Sequence, residues 1–444
     1  MTAPADGSDP GRRGARLRRI AIDLTPLRVS RDFRLVWTGL LVSSVGSQFT
    51  LVAVFVQVTR LTGSTTAVGA TGLAWLGGLV AGSIAGGSVL DARDRRVLLA
   101  SAQVGVAAGV TTLLIGAIHG HPPIWTIYAG LAVMAAASAI DSPTRSAMTP
   151  RLVGAELIPA AQALNQVVWN SAGLFGPALA GIVIQRFDVR WAYAIDLCSV
   201  GAMFAAALAL RPMPPEDAER SETGIRAIRA GFAYVRGSRL LQSTFAIDLV
   251  AMIFGMPRAL FTFLALDQFG RGPEIVGLLF SAPAVGALLG ALTSGWTRHV
   301  RRQGEAVAIA VAAWGAAIAL FGWAHDLPVA LALLALAGWA DVISAIFRST
   351  ILQLTVPERL RGRLSGIHIL VVTGGPRLGD LEAGLVATWF SPTVSVVSGG
   401  IACILGAAVV AVAYPELRRY RADHDSRDTV PRMPRLTDDG SAET

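Results

Sequence analysis

GGSVLDARDRR, residues 86–96, is a short charged segment that separates two long apolar stretches of the chain. Its glycines end the first stretch and let a neighbouring backbone approach closely, and Asp91 stands where a turn begins. A connection this short makes the two apolar helices antiparallel neighbours. Taken alone, Arg93, Arg95 and Arg96 are also the ordinary signal for a loop on the cytoplasmic side of a membrane. The segment therefore predicts a helical hairpin in a membrane.

The composition of the whole chain is that of a polytopic membrane protein. Of its 444 residues, 53% are hydrophobic and 15% are charged, which is too apolar for a soluble globular protein. A helix of about 20 apolar residues crosses a bilayer, and such stretches recur along the chain. The predicted spans are 35–58, 66–90, 97–118, 123–145, 160–184, 190–210, 240–266, 274–296, 304–323, 327–348, 363–389 and 393–414.

All 38 basic residues are arginine, and the absence of lysine excludes two kinds of chemistry. A Walker A loop needs its lysine to reach the nucleotide phosphates, so the chain is not the ATP-hydrolysing part of a pump. A Schiff-base mechanism is excluded for the same reason. Any transport must therefore draw on an ion gradient or on the gradient of the substrate itself.

Neither a cofactor nor a metal site is predicted. Cys198 and Cys403 each fall inside a predicted helix, where they are small buried apolar residues rather than partners in a disulfide. His119 and His121 share one loop, but two histidines without further ligands make a weak metal site. The loops hold no compact cluster of serine, histidine and aspartate, so we expect no enzymatic activity.

The net charge of +8 is distributed as in a membrane protein, which argues against nucleic-acid binding. With the N-terminus placed in the cytoplasm, 32 of the arginines lie on the cytoplasmic side. Four lie outside, and Arg258 and Arg377 lie within helices. This asymmetry predicts a multi-pass protein of the bacterial cytoplasmic (inner) membrane with both termini in the cytoplasm.

A partial internal repeat, with matching residues 203 positions apart, indicates two related halves. Single matches mean little in a chain rich in alanine, leucine and glycine, but paired placements favour a duplicated unit. The paired placements are Arg145-Ser146 with Arg348-Ser349, Gly176 with Gly379, and Ala180-Gly181 with Ala383-Gly384.

We therefore predict an all-α membrane protein with twelve transmembrane helices in two six-helix halves. The intervening and terminal segments are polar and contain proline, as expected outside the bilayer. The predicted segments are a basic cytoplasmic arm (1–34), an N-terminal half (35–211), a cytoplasmic connector (212–239), a C-terminal half (240–415) and a cytoplasmic tail (416–444).

The charged segment resembles the loop between the second and third helices of major facilitator superfamily transporters. That loop usually reads Gly-x-Leu-Ala-Asp-Arg-x-Gly-Arg-Arg/Lys, and Ala92 and Asp94 depart from it. The resemblance implies the fold of that superfamily and a gating role, in which Asp91 meets the positive end of the eleventh helix. The matching residues, and thus the predicted gating residues, are Gly87, Asp91, Arg95 and Arg96.

A segment of the fifth span resembles the Gly-Pro motif of many antiporters in the superfamily. Pro177 removes a backbone hydrogen bond and kinks the helix, and the small residues permit tight packing. A plain packing seam explains the glycines equally well, so both interpretations stay open, with antiport slightly preferred. The motif residues are Gly173, Gly176, Pro177 and Gly181.

Further segments resemble the enterobactin (siderophore) exporter group of the superfamily, namely 281–295, 351–358 with 362–366, and 415–419. The resemblance implies export of a siderophore-like amphipathic small molecule by proton antiport with alternating access. The eleventh span is more charged than in the enterobactin exporter itself, which argues against an identical substrate. The alternatives are a multidrug efflux antiporter and, less favoured, a non-transporting membrane receptor or membrane enzyme.

Polar and charged residues inside the spans are candidates for the transport site, because an ionisable group costs about 2.5 to 3.5 kcal/mol to insert. Gln48 and Arg258 are the predicted substrate contacts, and Arg258 suits an acidic or catechol-bearing ligand. Asp248 and Asp341 are cavity charges or plain contacts between helices. The expected partners are a small-molecule substrate, protons and the lipid bilayer, and the chain is expected to be a monomer.

Proton coupling is predicted on the eleventh span. Arg377 and Asp380 share a helix face and can neutralise each other. Glu382 lies on another face, and a carboxylate that is neutral when enclosed and ionised when exposed to water would carry the proton. The alternative is a fixed ion pair of Glu382 with a neighbouring helix, for instance with Arg258, and Asp380 is the next candidate for coupling.

Overall fold

The computed structural model of the protein describes residues 23–86, 93–214, 233–356 and 358–421, and all regular structure in these ranges is helical. From 358 to 370 only the backbone is described. Most of the predicted arm, connector and tail lies outside these ranges, so those segment boundaries stay predictions.

Twelve long helices follow one another in the described part of the chain. Several begin at a side chain that accepts a hydrogen bond from the first turn, as Ser30 does from the Phe33 N–H at 3.1 Å. The helices are α1 (Arg31–Thr62), α2 (Thr65–Gly86), α3 (Arg95–His119), α4 (Ile124–Val153), α5 (Ile158–Phe187), α6 (Val189–Leu208), α7 (Arg239–Phe254, continued by irregular turns to Gln268), α8 (Pro273–Thr293), α9 (Gln303–Trp323), α10 (Leu327–Thr355), α11 (Glu358–Trp389) and α12 (Pro392–Ala413).

Eleven helices in the described ranges are long and apolar enough to cross a bilayer. The remaining one, α11, is also long, with 32 residues, but Arg377, Asp380 and Glu382 lower its hydropathy. The predicted all-α architecture with twelve transmembrane helices is confirmed.

The seventh helix differs from the continuous span predicted for 240–266, because its regular part ends at Phe254. Pro257 has no backbone N–H and disfavours helix in the residue before it. At this break the carbonyl of Gly255 accepts a hydrogen bond from the indole N–H of Trp314 at 2.7 Å. Arg258 therefore lies at a helix interruption and has more freedom of placement than a residue in a regular helix.

Two helices extend beyond their predicted spans and carry two arginines into the bundle. The fourth and tenth spans were expected to end at Arg145 and Arg348, but α4 continues to Val153 and α10 to Thr355. The predicted ends of these two spans were therefore wrong. Each arginine forms an ion pair with a carboxylate of the bundle, which offsets its charge within a helix. The assignment of both arginines to the cytoplasmic side stays a prediction.

The first six and the last six helices form two groups with the same internal packing. In each group, glycines of the second helix bring its backbone against the fourth helix, where a Cβ atom would crowd the facing residue. The facing residues of α4 and α10 are related by the same 203-residue offset. The matched contacts are Gly78 with Ala132 and Gly286 with Ala335, then Gly82 with Ala136 and Gly290 with Trp339.

The two groups meet where α2 crosses α11 and where α5 crosses α8. A Cβ atom on Gly384 would lie 3.2 Å from the Cα of Gly69, and one on Gly181 would lie 3.1 Å from the Cα of Gly277. The Thr65 hydroxyl donates to the carbonyl of Gly384 at 2.9 Å. Backbone is thus packed directly on backbone at both crossings.

Both crossings lie at the end of the bundle that contains the turns at 62–65, 187–189 and 389–392. We call this the closed end. The opposite end contains the start of α1 and the finish of α12, and we call it the termini end.

Replacing Gly277 by leucine should force the closed end apart. A Cβ atom at Gly277 would already lie 3.1 Å from Gly181, so a larger side chain has no room unless α5 and α8 separate. Labelling of a cysteine at Ser281 by a membrane-impermeant maleimide, in a Cys198→Ala, Cys403→Ala background, should increase from the closed-end side.

Gly201→Leu is the matched control, because nothing lies within 4 Å of a Cβ atom at Gly201. Equal labelling in the two variants would show that the α5–α8 crossing does not close this end.

Candidate functional site

A cavity of about 310 Å³ lies inside the bundle, and the first six helices supply most of its wall. Its hydroxyl and amide groups come mainly from one face of α1. So many polar groups would be unfavourable on a face exposed to lipid. Gln48, a predicted substrate contact, belongs to this face. The ionisable residues in the wall are Asp141, Arg145, Asp196 and Arg377, and the large aromatic residues are Phe55, Trp75 and Trp169.

A second depression of about 180 Å³ continues the cavity toward the termini end. It shares Leu40, Arg145 and Trp169 with the central cavity and ends among polar residues at the start of α5, such as Gln162 and Gln166. The cavity therefore extends toward the termini end, whereas the two crossings lie at the closed end.

Asp380 holds together a cluster of two arginines. It is fully buried and lies 3.8 Å from Arg258 and 3.9 Å from Arg377, and its Oδ1 accepts a hydrogen bond from the Ala259 N–H at 3.2 Å. The predicted Arg377–Asp380 pair is thus present. One carboxylate balances one of the two guanidinium groups, so the cluster keeps an excess positive charge.

The excess charge of this cluster reaches the cavity through Arg377. Its guanidinium lies 5.0 Å from the centre of the Trp75 ring, a cation–π contact, and both residues are in the wall. Arg258, the other predicted substrate contact, is not among the wall residues and acts on the cavity through Asp380.

Glu382 lies two residues beyond Asp380 and is partly exposed, outside the cavity wall. Among the described residues it has no ion-pair partner, and Arg258 pairs with Asp380 instead. Its role in proton coupling stays a prediction.

A second buried cluster joins α7 and α10. Arg348 lies 2.9 Å from Asp248 and 3.7 Å from Asp341, and neither carboxylate is among the wall residues of the cavity. Asp248 thus makes a contact between helices of the second group, whereas Asp341 lies on the same helix as Arg348. A transport role of either carboxylate stays a prediction.

Asp141 and Asp196 are wall residues that the sequence analysis did not single out. Asp141 forms an ion pair with Arg145 one helical turn later, and its Oδ1 accepts a hydrogen bond from Gln103 at 2.8 Å. The four-residue spacing of Asp141 and Arg145 is the signal that could have revealed the pair. Asp196 is the single carboxylate of an otherwise apolar span, which is itself unusual.

The charged segment is described only in part, because Gly87 and Asp91 lie outside the described residues. Arg95 donates to the carbonyl of Ala147 at 2.5 Å, and Arg96 donates to that of Leu208 at 2.5 Å. These bonds connect helix ends within the first group. A gating role between the groups stays a prediction for all four residues.

The Gly-Pro segment lies at two helix contacts. Gly176 faces Gln48 of α1, and Pro177 and Gly181 face Gly277 of α8, while Gly173 has only loose contact with α8. The structure accounts for the glycines by packing, and a separate role in antiport stays a prediction.

A family model described as transmembrane secretion effector matches residues 21–438 of the chain. The curated relatives include the enterobactin exporter EntS of Shigella boydii serotype 18, which is 27% identical over 409 residues. That alignment covers 90% of this chain and 96% of the relative. EntS of Escherichia coli O139:H28 is 26% identical over the same coverage.

Solved transporter structures share the fold at low sequence identity. A point mutant of the nucleoside transporter NupG superposes with a TM-score of 0.70 at 14% identity, covering 87% of this chain and 98% of that one. A bacterial homologue of the iron transporter ferroportin in the inward-facing state gives a TM-score of 0.64 at 13% identity, covering 88% and 99%. These likenesses establish the fold alone.

Asp380→Asn should destabilise the protein more than Asp188→Asn. Losing the buried carboxylate leaves Arg258 and Arg377 uncompensated, which costs about 3 to 5 kcal/mol, whereas an exposed pair such as Asp188 with Arg60 is worth about 0 to 1 kcal/mol. Both changes preserve the shape of the side chain. Thermal unfolding of the purified protein in detergent measures the difference, and equal shifts would show that Asp380 does not hold the cluster together.

Proposed function

Because the chain belongs to the transmembrane secretion effector family and has the fold of major facilitator transporters, we propose that it exports a siderophore-like amphipathic small molecule by alternating access, driven by proton antiport. The protein is a multi-pass membrane transporter, and its relatives and fold neighbours are transporters of this type rather than enzymes.

The orientation that we propose places the termini end in the cytoplasm. Arg60, Arg186 and Arg190 lie at the closed end. Among the described residues, the termini end carries the arginines around the start of α1, at the start of α3 and just after α12, namely Arg28, Arg31, Arg34, Arg95, Arg96, Arg418 and Arg419. The positive-inside rule favours the arginine-rich side as cytoplasmic. In this orientation the second depression lies on the cytoplasmic side of the cavity, from which an exporter must load its cargo.

The observation that carries the substrate proposal is Arg377 beside Trp75 in the cavity wall. A guanidinium binds acidic oxygens through charge-assisted hydrogen bonds, and an indole face offers a flat apolar surface. Together they fit a ligand that joins acidic or catechol oxygens to an aromatic body. The enterobactin exporters among the relatives support the same class of cargo.

The apolar part of the wall favours multidrug efflux as the second candidate function. Flexible and aromatic apolar side chains adapt to amphipathic molecules of several shapes. These apolar wall residues are Leu40, Leu51, Val54, Phe55, Val106, Leu131, Met134 and Val200.

Arg377→Gln should impair transport of enterobactin more than transport of the cation ethidium. A hydrogen bond to a charged group is worth about 1.5 to 3 kcal/mol, so enterobactin affinity should fall roughly ten- to hundredfold. Uptake into inside-out membrane vesicles with an imposed pH gradient measures both compounds. Arg60→Gln, at an exposed ion pair of the closed end, is the control and should leave both unchanged.

The vesicle experiment also separates the two candidates. Equal loss of both compounds in Arg377→Gln would favour multidrug efflux over charge recognition. If wild-type vesicles accumulate neither compound, the export proposal is wrong in its present form.

A further inference from the structure

We propose that Asp196 is the group that the proton and the transported molecule occupy in turn, so that loading of cargo releases a proton. This inference rests on the proposed export function and assigns its coupling to a residue of α6. It is carried by the geometry of Asp196 in the cavity wall.

Asp196 is a carboxyl group without a cation beside it. Its exposed fraction is 1%, and it belongs to the wall of the central cavity. The Ser199 hydroxyl, one turn further along α6, donates to the backbone carbonyl of Asp196 at 2.7 Å and lies 3.1 Å from Oδ1. The Thr50 hydroxyl of α1 faces the same group, but neither Thr50 Oγ1 nor Asp196 Oδ2 has a well-formed hydrogen bond within the described residues.

The helices packed against this carboxyl group place their charged groups far from it along the helix axis. In α1, α3 and α5 the ionisable residues stand in the first or last turns. In α6 itself, Arg190 stands in the first turn, Tyr193 donates to Gln57 at 2.6 Å, and the Cys198 thiol is exposed. The terminal residues of the packed helices are Arg31, Asp32, Arg34 and Arg60 in α1, Arg95, Arg96 and His119 in α3, and Arg186 in α5.

Neither arginine across the cavity forms an ion pair with Asp196. Arg145 is paired with Asp141, and Arg377 is bound to Asp380 and stacked on Trp75. Among the described carboxylates of the wall, Asp141 therefore has its counter-ion in the same helix, whereas Asp196 has none in ion-pair contact. A proton or a donor group of the cargo that enters the cavity can supply the missing contact.

Two occupants can supply that contact. In this structure the carboxyl group is closed off from solvent, and the transport cycle must expose it to water in another state. When the cavity closes, an ionised carboxylate in low dielectric is costly, so it must hold a proton or accept a hydrogen bond from a donor group of the cargo. The ionised carboxylate accepts hydrogen bonds more strongly than the protonated carboxyl group does, so binding of a cargo donor favours release of the proton, and protonation in turn weakens binding of the cargo.

The same geometry limits the chemical groups that the cargo can carry. Asp196 can accept a hydrogen bond from a hydroxyl, an amide N–H or an ammonium group, and Arg377 can donate to an acidic oxygen. A molecule that carries both kinds of group on an apolar or aromatic body fits this wall. A purely anionic molecule without donors leaves Asp196 uncompensated and is not expected to be exchanged for protons.

Infrared difference spectroscopy of the purified full-length protein tests the proton site without any cargo. Raising the pH should remove a protonated-carboxyl C=O band from the wild type, and Asp196→Asn should lack that band. Asp188→Asn, a matched change at the exposed start of the same helix, should retain it. An unaltered band in Asp196→Asn would overturn the proposal, whatever the cargo.

Proteoliposomes test the coupling, with enterobactin and ethidium as probes. Asp196→Asn should keep exchange of the transported probe down its own gradient and lose its pH-driven accumulation, while the control Asp188→Asn should keep both. Retained exchange also shows that the variant is folded. Loss of exchange together with accumulation would make Asp196 a plain cargo ligand, and loss of accumulation in Glu382→Gln alone would move the proton to α11; either result refutes the assignment.

Discussion

The pairing of arginine with carboxylate inside the bundle is the constraint on which the rest of this structure depends. A lone guanidinium among apolar helices is costly, so each helix that carries one must lie where a carboxylate can reach it. Asp380 brings the break of α7 to α11 through Arg258, and Asp248 brings α7 to α10 through Arg348. Two of the helix contacts that shape the second group are thus fixed by charge as well as by packing.

Much of the fold could be predicted from the sequence, because bilayer thickness and the hydropathy of a span are local properties. The ends of α4 and α10 could not, since Arg145 and Arg348 look like loop residues until their partners are known. The break in α7 had a local signal in Pro257, but the compensating bond from Trp314 is a tertiary contact. For the site, Gln48 and Arg377 stood out as polar groups in apolar spans. Asp196 gave the same signal and gained its meaning only when α1 and α6 were seen to leave it without a counter-ion.

The two halves share their packing but differ in their charges. The glycine contacts of α2 with α4 recur between α8 and α10, and the facing residues of α4 and α10 keep the 203-residue offset. Arg145 and Arg348 occupy equivalent positions, yet Arg145 pairs within its own helix and Arg348 pairs mainly with α7. Close packing of helices inside a bilayer restricts the same positions to small residues in both halves. The side chains around the cavity are not restricted in this way and can differ between the halves. The result is a symmetric scaffold around an asymmetric pocket.

That asymmetry has a mechanical consequence. Nearly all of the described cavity wall belongs to the first half, and Arg377 is the contribution of the second. If the two halves rotate against each other, a bound molecule would stay in contact with the first half. Arg377, which belongs to the second half, would then move away from the molecule. The attraction from Arg377 would then be strongest at loading and weakest at discharge. Such a transporter would need no separate mechanism to lower its affinity for the molecule on the far side of the membrane. The motion that opens the exit would also remove the contact with Arg377.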